Sequence, residues 1–141
     1  MSPNDGPLLL DTTAFSALFR GAERDLPYQK VTADRDLLVS FVTVGEVLKG
    51  AIKRGWGDQR VAELEVRIAA VGVIPGTIGV ARAYARLSAR FGTSKGDNDM
   101  WIVASSMALP ETPAIVSGDG DFTELCEFAK IDLIQPGPVD E

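Results

Sequence analysis

The sequence contains no histidine, one cysteine, and only two tryptophans and two tyrosines among 141 residues. Each shortage removes a kind of chemistry. Without histidine there is no Ser-His-Asp triad, no Cys-His pair, no histidine-ligated zinc and no imidazole general base. Acid–base or metal chemistry must use carboxylates, hydroxyls, lysine or bound water. The lone Cys126 excludes an intramolecular disulfide. No apolar run approaches the length of a membrane span. The opening Met1-Ser2-Pro3-Asn4-Asp5-Gly6 lacks the basic start and apolar core of a signal peptide. A soluble, cytoplasmic protein without membrane association is the expectation. Basic side chains are also in deficit, 14 against 20 acids, for a net charge of −6. That argues against broad, non-specific nucleic-acid binding unless a cation cancels part of the charge. No Gly-rich loop ends in Lys-Ser/Thr, so a nucleoside-triphosphate P-loop is absent. No Gly-x-Gly-x-x-Gly follows the first apolar run, so the dinucleotide fingerprint is absent too.

What is present is an alternation. Apolar, strand-like runs occupy 7–10, 37–42, 72–75, 114–117 and 131–134. Between them lie helical patterns. Ala14 to Phe19 reads as a helix ending near Gly21, and Tyr28 to Ala33 as a short one. Thr43 is placed as the cap of a helix with the apolar stripe Val44, Val47, Leu48, Ala51 and Ile52. After the break at Gly55-Trp56-Gly57, a helix starts at Asp58 with Val61, Leu64, Ile68 and Val71 at core spacing. Thr77 caps the next, with Ala81, Tyr84, Leu87 and Phe91 inward. A helix over 98–108, with Asp97 or Asn98 as N-cap, stops before Pro110, and a last one spans 122–128. Strands alternating with helices predict a three-layer α/β fold with a mainly parallel sheet of about five strands. The length predicts one domain over 1–135 and a loose tail over 136–141.

Acids sit at most strand–helix junctions. Asp11 follows the first run, Glu46 the second and Asp119 the fourth, while Asp99 stands in the first turn of the 98–108 helix. In a parallel α/β sheet such junctions gather at the carboxyl ends of the strands, where ligands bind. Taken singly, each acid has a bland reading. Asp11 serves as a helix N-cap, Asp99 complements a helix dipole, Glu46 is solvated, and Asp119 with Asp121 supplies turn chemistry. Taken together, four carboxylates in one crevice repel one another too strongly without a cation. A Mg²⁺ or Mn²⁺ phosphoryl-transfer site is the reading that explains all four. Thr13 stands where a phosphoaspartate phosphatase would want a second aspartate, and Asp119-Gly120-Asp121 does not continue as a calcium loop.

These segments resemble the PIN domain. Leu8-Leu9-Leu10-Asp11-Thr12-Thr13 resembles its opening, and Ser40-Phe41-Val42-Thr43-Val44-Gly45-Glu46 its second motif. Asn98-Asp99-Met100-Trp101 resembles the third, and Val116-Ser117-Gly118-Asp119-Gly120-Asp121-Phe122 the fourth. The likeness covers residues 7 to about 134. It departs at Val103, where alanine is usual, at Ser117, where threonine is commoner, and at Gly118, where a larger or charged residue is usual. The absence of an extra domain looks most like the VapC toxins of bacterial toxin–antitoxin pairs. The resemblance implies a metal-dependent endoribonuclease with Asp11, Glu46, Asp99 and Asp119 as catalytic and metal-binding acids. Thr12, Thr43, Asp97, Ser117 and Asp121 would be auxiliary. It also implies one or two Mg²⁺ or Mn²⁺ ions, a cognate VapB-type antitoxin and a homodimer. Metal-activated water would cleave the RNA to 5′-phosphate and 3′-hydroxyl ends.

RNA must also be held. Lys49, Lys53 and Arg54 follow Glu46 on its helix, Arg82, Arg86 and Arg90 form one stripe, and Lys95 precedes the central turn. These contact RNA, meet an acidic antitoxin segment, or form solvated faces. Trp56 and Trp101 are candidates for base stacking, with Trp101 the more core-like. Two other functions remain open on sequence: a non-catalytic PIN-like binding module, and a metal-dependent nuclease or phosphatase acting on another phosphate ester.

Overall fold

The computed structural model describes residues 6–137. The expectation of a loose tail therefore falls largely on residues 138–141, outside the described range. Five strands form one parallel sheet: β1 (Leu8–Leu10), β2 (Leu37–Ser40), β3 (Gly72–Ile74), β4 (Ala114–Val116) and β5 (Leu133–Ile134), in the order β3-β2-β1-β4-β5. β1 lies at the centre. Leu8 faces Leu37 on one side and Ala114 on the other.

Three successive leucines form β1 because both faces of the sheet are covered, as parallel strands require. All three are fully buried. Alternation sends Leu9 to one core and Leu8 and Leu10 to the other. On the Leu9 side pack α5 (Ile78–Phe91), α6 (Asp97–Met107) and α7 (Phe122–Ala129), through Val80, Leu87, Met100, Val103, Phe122 and Leu125. On the other side pack α1 (Thr12–Arg20), α3 (Phe41–Lys53) and α4 (Asp58–Ala69), through Phe15, Val47, Ala51 and Leu64, with α2 (Leu26–Thr32) at the margin. This is the expected three-layer arrangement. Among the described residues no helix is long and apolar enough to cross a membrane. Cys126 is a core residue, and burial pushes its thiol up to about 12.

Several boundaries differ from the sequence reading. β2 ends at Ser40, and α3 begins at Phe41. The N-cap is Ser40, whose Oγ accepts from the Val42 amide at 3.3 Å, so Thr43 lies inside the helix and is buried. The β-branched and aromatic run suggested strand, but a capping hydroxyl and a buried helix face decide the state. Ile52 is 79% exposed rather than part of the core stripe. On α5 the fully buried positions are Val80, Ala83 and Leu87, with Tyr84 and Phe91 packing at the edge and Ala81 half-buried. α6 starts at Asp97 with Gly96 as its N-cap, so neither Asp97 nor Asn98 caps it. β5 is shorter than expected. The Ile131 amide donates to the Cys126 carbonyl at 2.9 Å, closing α7 with Lys130 at a positive φ.

The chain runs from β1 outward through β2 and β3, then returns to the other side of β1 for β4 and β5. The carboxyl ends of β1 and β4 therefore flank a topological switch point, where open α/β sheets bind ligands. The central strand carries the largest packing demand. Leu9→Ala should destabilise the protein by about 2–5 kcal/mol in denaturant melts, whereas Ile52→Ala, at an exposed position, should change stability by less than about 0.5 kcal/mol.

Candidate functional site

Asp11 leaves β1 and enters the switch point. It is 3% exposed, and its Oδ1 accepts from the Ala14 amide at 2.7 Å, capping α1. The bland reading of Asp11 is thus correct as far as it goes, and it does not exhaust the residue. Burial raises its carboxyl above the usual range. Hydrogen bonds from Ser117 and the Ala14 amide oppose that rise, and the charges of Asp119 and Glu46 add to it. Ser117 is fully buried at the end of β4, and its Oγ accepts from the Asp119 amide at 3.0 Å. It links the β1 acid to the β4 turn.

Glu46 enters from α3. Thr12 donates to Glu46 Oε1 at 2.6 Å, and its own Oγ1 lies 3.0 Å from Thr43 Oγ1. Thr43, on the buried face of α3, anchors Thr12, and Thr12 orients Glu46. Asp99 enters from the first turn of α6, where the helix dipole favours an anion. Burial is nevertheless the larger effect. With the charges of Asp119, Asp11, Asp121 and Glu46 it pushes Asp99 up to about 6. Asp119 belongs to the exposed turn before α7, and its Oδ1 accepts from the Asp121 amide at 2.9 Å. Carboxylate oxygens of Asp99, Asp119 and Asp121 lie within 4.8 Å of one another.

α6 is held against α3 by a buried hydroxyl pair: Ser105 Oγ lies 2.9 Å from Ser40 Oγ, the cap of α3. The elements bearing Asp99 and Glu46 are therefore joined at their bases. Asp97 is not among the converging acids. Tyr84 on α5 donates to its Oδ1 at 2.7 Å, and the Tyr84 ring stacks on Trp101 at 3.8 Å with a 9° tilt. Trp101 is thus a packing residue at the α5–α6 seam. Gly118 also has a structural reason. A Cβ there would lie 2.8 Å from the Tyr28 hydroxyl, so the missing side chain makes room for the phenol.

The basic residues divide. Lys49 and Lys53 line a shallow hollow together with Glu46 and Asn98. Lys95 is occupied, its Nζ 3.1 Å from Glu124 and 3.9 Å from Asp121, with the side chain only 10% exposed. Arg82, Arg86 and Arg90 lie on the exposed face of α5 and line neither hollow beside Glu46. On the other side of Glu46 is a groove of about 530 Å³ containing Phe19, Arg20, Arg24, Arg54, Trp56 and Arg60. Of these the sequence pointed only to Arg54 and Trp56. The spacing Arg54-x-Trp56-x-x-x-Arg60 was the signal available for Arg60.

The carboxylate cluster fits a hard divalent cation on its own chemistry. Its donors are oxygens, as Mg²⁺ and Mn²⁺ prefer. Three of its acids converge within ligand-sharing distance. A carboxyl driven up to about 6 by burial, with four like charges adding to the rise, is one that a bound cation would settle.

Fold and cluster define a class: a parallel α/β protein with a crowded acidic centre at its switch point. The chain belongs to the PIN domain family, whose model matches residues 8–127. Among curated protein sequences there is no match. Solved structures show the same fold. A chain of VapBC2 from Rickettsia felis, bound to a promoter DNA fragment, is 16% identical with a TM-score of 0.74, over 92% of this chain and 98% of that one. DNA-bound VapBC from Salmonella typhimurium gives 20% identity and 0.72, over 94% and 99%. VapBC-5 from Mycobacterium tuberculosis gives 23% and 0.65, over 92% and 98%.

The raised carboxyl of Asp99 fixes the sign of a pH effect in metal-free protein. Below about 3.8 the group is protonated folded and unfolded alike. Between 3.8 and about 6 only the unfolded chain ionises, so stability falls as pH rises; above 6 the loss is complete. Asp99→Asn should therefore raise the Tm of chelator-treated protein at pH 7.5 by several °C, roughly 1–3 kcal/mol. At pH 4 it should change the Tm little. Thermal melts at the two pH values check this.

Proposed function

We propose that this protein is a metal-dependent endoribonuclease, the toxin of a toxin–antitoxin pair of the VapBC type. The observation that carries this reading is the convergence of Asp99, Asp119 and Asp121, whose carboxylate oxygens lie within 4.8 Å of one another, with Asp11 and Glu46 near enough to add to the rise of the Asp99 carboxyl. The family match supports a nuclease. Several structures sharing the fold were solved as toxin–antitoxin complexes, one of them from Klebsiella pneumoniae, which supports a VapB-type antitoxin partner. A homodimer and a cytoplasmic setting belong to the same reading.

In this proposal Asp99, Asp119 and Asp121 hold Mg²⁺ or Mn²⁺, with Asp11 and Glu46 completing the acidic ring. A divalent ion so held supplies positive charge that eases deprotonation of water and offsets the charge of a phosphodiester. The protein's own groups do the rest. Thr12 fixes the Glu46 carboxylate so that one oxygen stays free of the hydroxyl contact. The ring presents acceptors for the proton of an attacking water. With water as the nucleophile, as the PIN resemblance implies, no histidine and no ribose 2′-hydroxyl attack is needed, and the ends would be 5′-phosphate and 3′-hydroxyl. Ser117, through Asp11 and the Asp119 amide, keeps the β1 and β4 acids in fixed relation.

The test is cleavage of a mixed RNA pool by partner-free protein with Mg²⁺ or Mn²⁺. Discrete fragments with 5′-phosphate ends should form, vanish with chelator, and fall about 100-fold or more in Asp99→Asn. Thr12→Val removes the hydroxyl that orients Glu46, along with its contact to Thr43, and should lower activity by about 10–100-fold in protein that still folds. No cleavage by folded, metal-loaded protein would sink the nuclease reading. Cleavage persisting with chelator and in Asp99→Asn would mark a contaminant.

A further inference from the structure

Two hydroxyls at the acidic centre are spent inside the protein. Thr12 donates to Glu46 and meets Thr43. Ser117 bonds Asp11 and accepts from the Asp119 amide. A third, on Tyr28 of α2, is not spent. Its oxygen lies 2.8 Å from the point where a Cβ on Gly118 would stand, in the turn between Ser117 and Asp119. The residue is half-buried, and among the described residues its side chain enters no hydrogen bond. Burial raises the phenol above its ordinary value, with the charges of Asp11 and Asp25 adding to the rise, so the group stays an O–H donor.

The phenol is held in place from below. Asp25, 1% exposed, fixes the entry to α2 by accepting from Arg20 at 2.8 Å and from the Ala22 amide at 2.9 Å. Pro27 lies in the first turn, where its missing N–H costs nothing. The Tyr28 ring packs on the core that contains Leu10, Phe15 and Val116. Phenylalanine would fill that space equally well, so packing leaves the oxygen unexplained. A half-buried hydroxyl without a partner is unfavourable, and a ligand acceptor would relieve it. Cations near the centre are drawn to acids, Arg20 to Asp25 and Lys95 to Glu124 and Asp121. A neutral O–H escapes that capture and remains free to meet an anionic ligand. Gly118 is also one of the positions where the chain departs from the PIN pattern, and the phenol occupies the room its side chain would take.

We propose that the Tyr28 hydroxyl is a substrate-binding donor of the acidic centre, holding a non-bridging oxygen of the phosphodiester beside Asp11 and Asp119, and that residue 118 is glycine to admit it. The phenol donates, the phosphoryl oxygen accepts, and no proton is transferred. The bond orients the phosphate and strengthens as charge gathers on its oxygens. It recognises the backbone of the strand and is indifferent to base identity. The proposal rests on the ribonuclease reading for its ligand, yet binding and cleavage can be measured apart.

The experiment measures two quantities on the full chain. One is affinity for a labelled oligoribonucleotide, kept intact with Ca²⁺, which takes the same oxygen ligands at longer distances. The other is cleavage with Mg²⁺. Tyr28→Phe keeps the ring and removes the oxygen. It should weaken binding by about 5- to 20-fold and lower kcat/KM by about 10- to 100-fold. Affinity for Mn²⁺ alone and the Tm should stay as in the parent chain. Gly118→Ala sets a Cβ against the far end of a movable side chain, so it should displace the phenol and weaken binding by a similar factor. In the Tyr28→Phe background the same substitution should cost less than about 2-fold, because the oxygen it met is gone. Unchanged affinity and kcat/KM in folded Tyr28→Phe would overturn the proposal. So would a loss of Mn²⁺ affinity equal to the loss of RNA affinity, which would make Tyr28 a support of the carboxylates. Equal cost of Gly118→Ala in both backgrounds would overturn the role given to residue 118. Tyr28-dependent binding without cleavage by any chain leaves the donor standing and removes the nuclease. Cleavage and binding indifferent to Tyr28 do the reverse.

Discussion

Like charges held close together in a partly buried place set the terms for this structure. A carboxylate at the end of a buried strand loses water, and each neighbour of the same sign adds to the cost. At the end of β1 that cost is partly offset by donors. Asp11 takes the Ala14 amide and a hydrogen bond from Ser117. Glu46 takes the hydroxyl of Thr12. Asp99 receives less, and its carboxyl is pushed furthest, to about 6. The fold stores this imbalance in a rigid setting, because both faces of the sheet are packed and the supporting hydroxyls are buried.

Rigidity comes from hydroxyl contacts that cross between elements. Thr12 joins α1 to α3, Ser105 joins α6 to the cap of α3, and Ser117 joins β4 to Asp11. Each is a short side chain with a limited set of rotamers, so little conformational entropy is lost in fixing it. The acids they support come from residues far apart in sequence, and a displacement of α3 would move Glu46 and the anchor of α6 together. Around this centre the basic groups are unevenly free. Lys95 is drawn into Asp121 and Glu124 and Arg20 into Asp25, while among the described residues Lys49, Lys53, Arg24, Arg54 and Arg60 form no ion pair.

Much of this was legible in the residues. Leu8-Leu9-Leu10 and Ala114-Ile115-Val116 are too uniformly apolar for anything but strands buried on both faces, and the acid after each follows from the βα order. The start of α3 was not legible, because Phe41-Val42-Thr43-Val44 has strand composition and only the Ser40 cap and the packing of Thr43 and Val47 make it helix. The sequence offered Asp97 or Asn98 as cap of α6, but Gly96 holds that position and Asp97 is the first helical residue, its carboxylate accepting from Tyr84, thirteen residues earlier. The groove escaped for a similar reason. Phe19, Arg24 and Trp56 belong to three segments, and nothing local in any of them says that they meet. Lys95 looked free on sequence because its partners lie beyond β4.

The two kinds of acid in this cluster differ in what would happen to them under mutational drift in a chain released from chemistry. Position 11 caps a helix that packs on the central strand, so any replacement must still accept an amide hydrogen bond. Asparagine or serine would serve, and an apolar residue would not. Position 99 has no such duty: α6 is capped from Gly96, and the Asp99 charge is a burden to the folded state. A lineage without use for the centre would keep a short polar residue at 11 and shed the acid at 99. The aspartate at 99 is therefore the more telling record of what the fold is kept for.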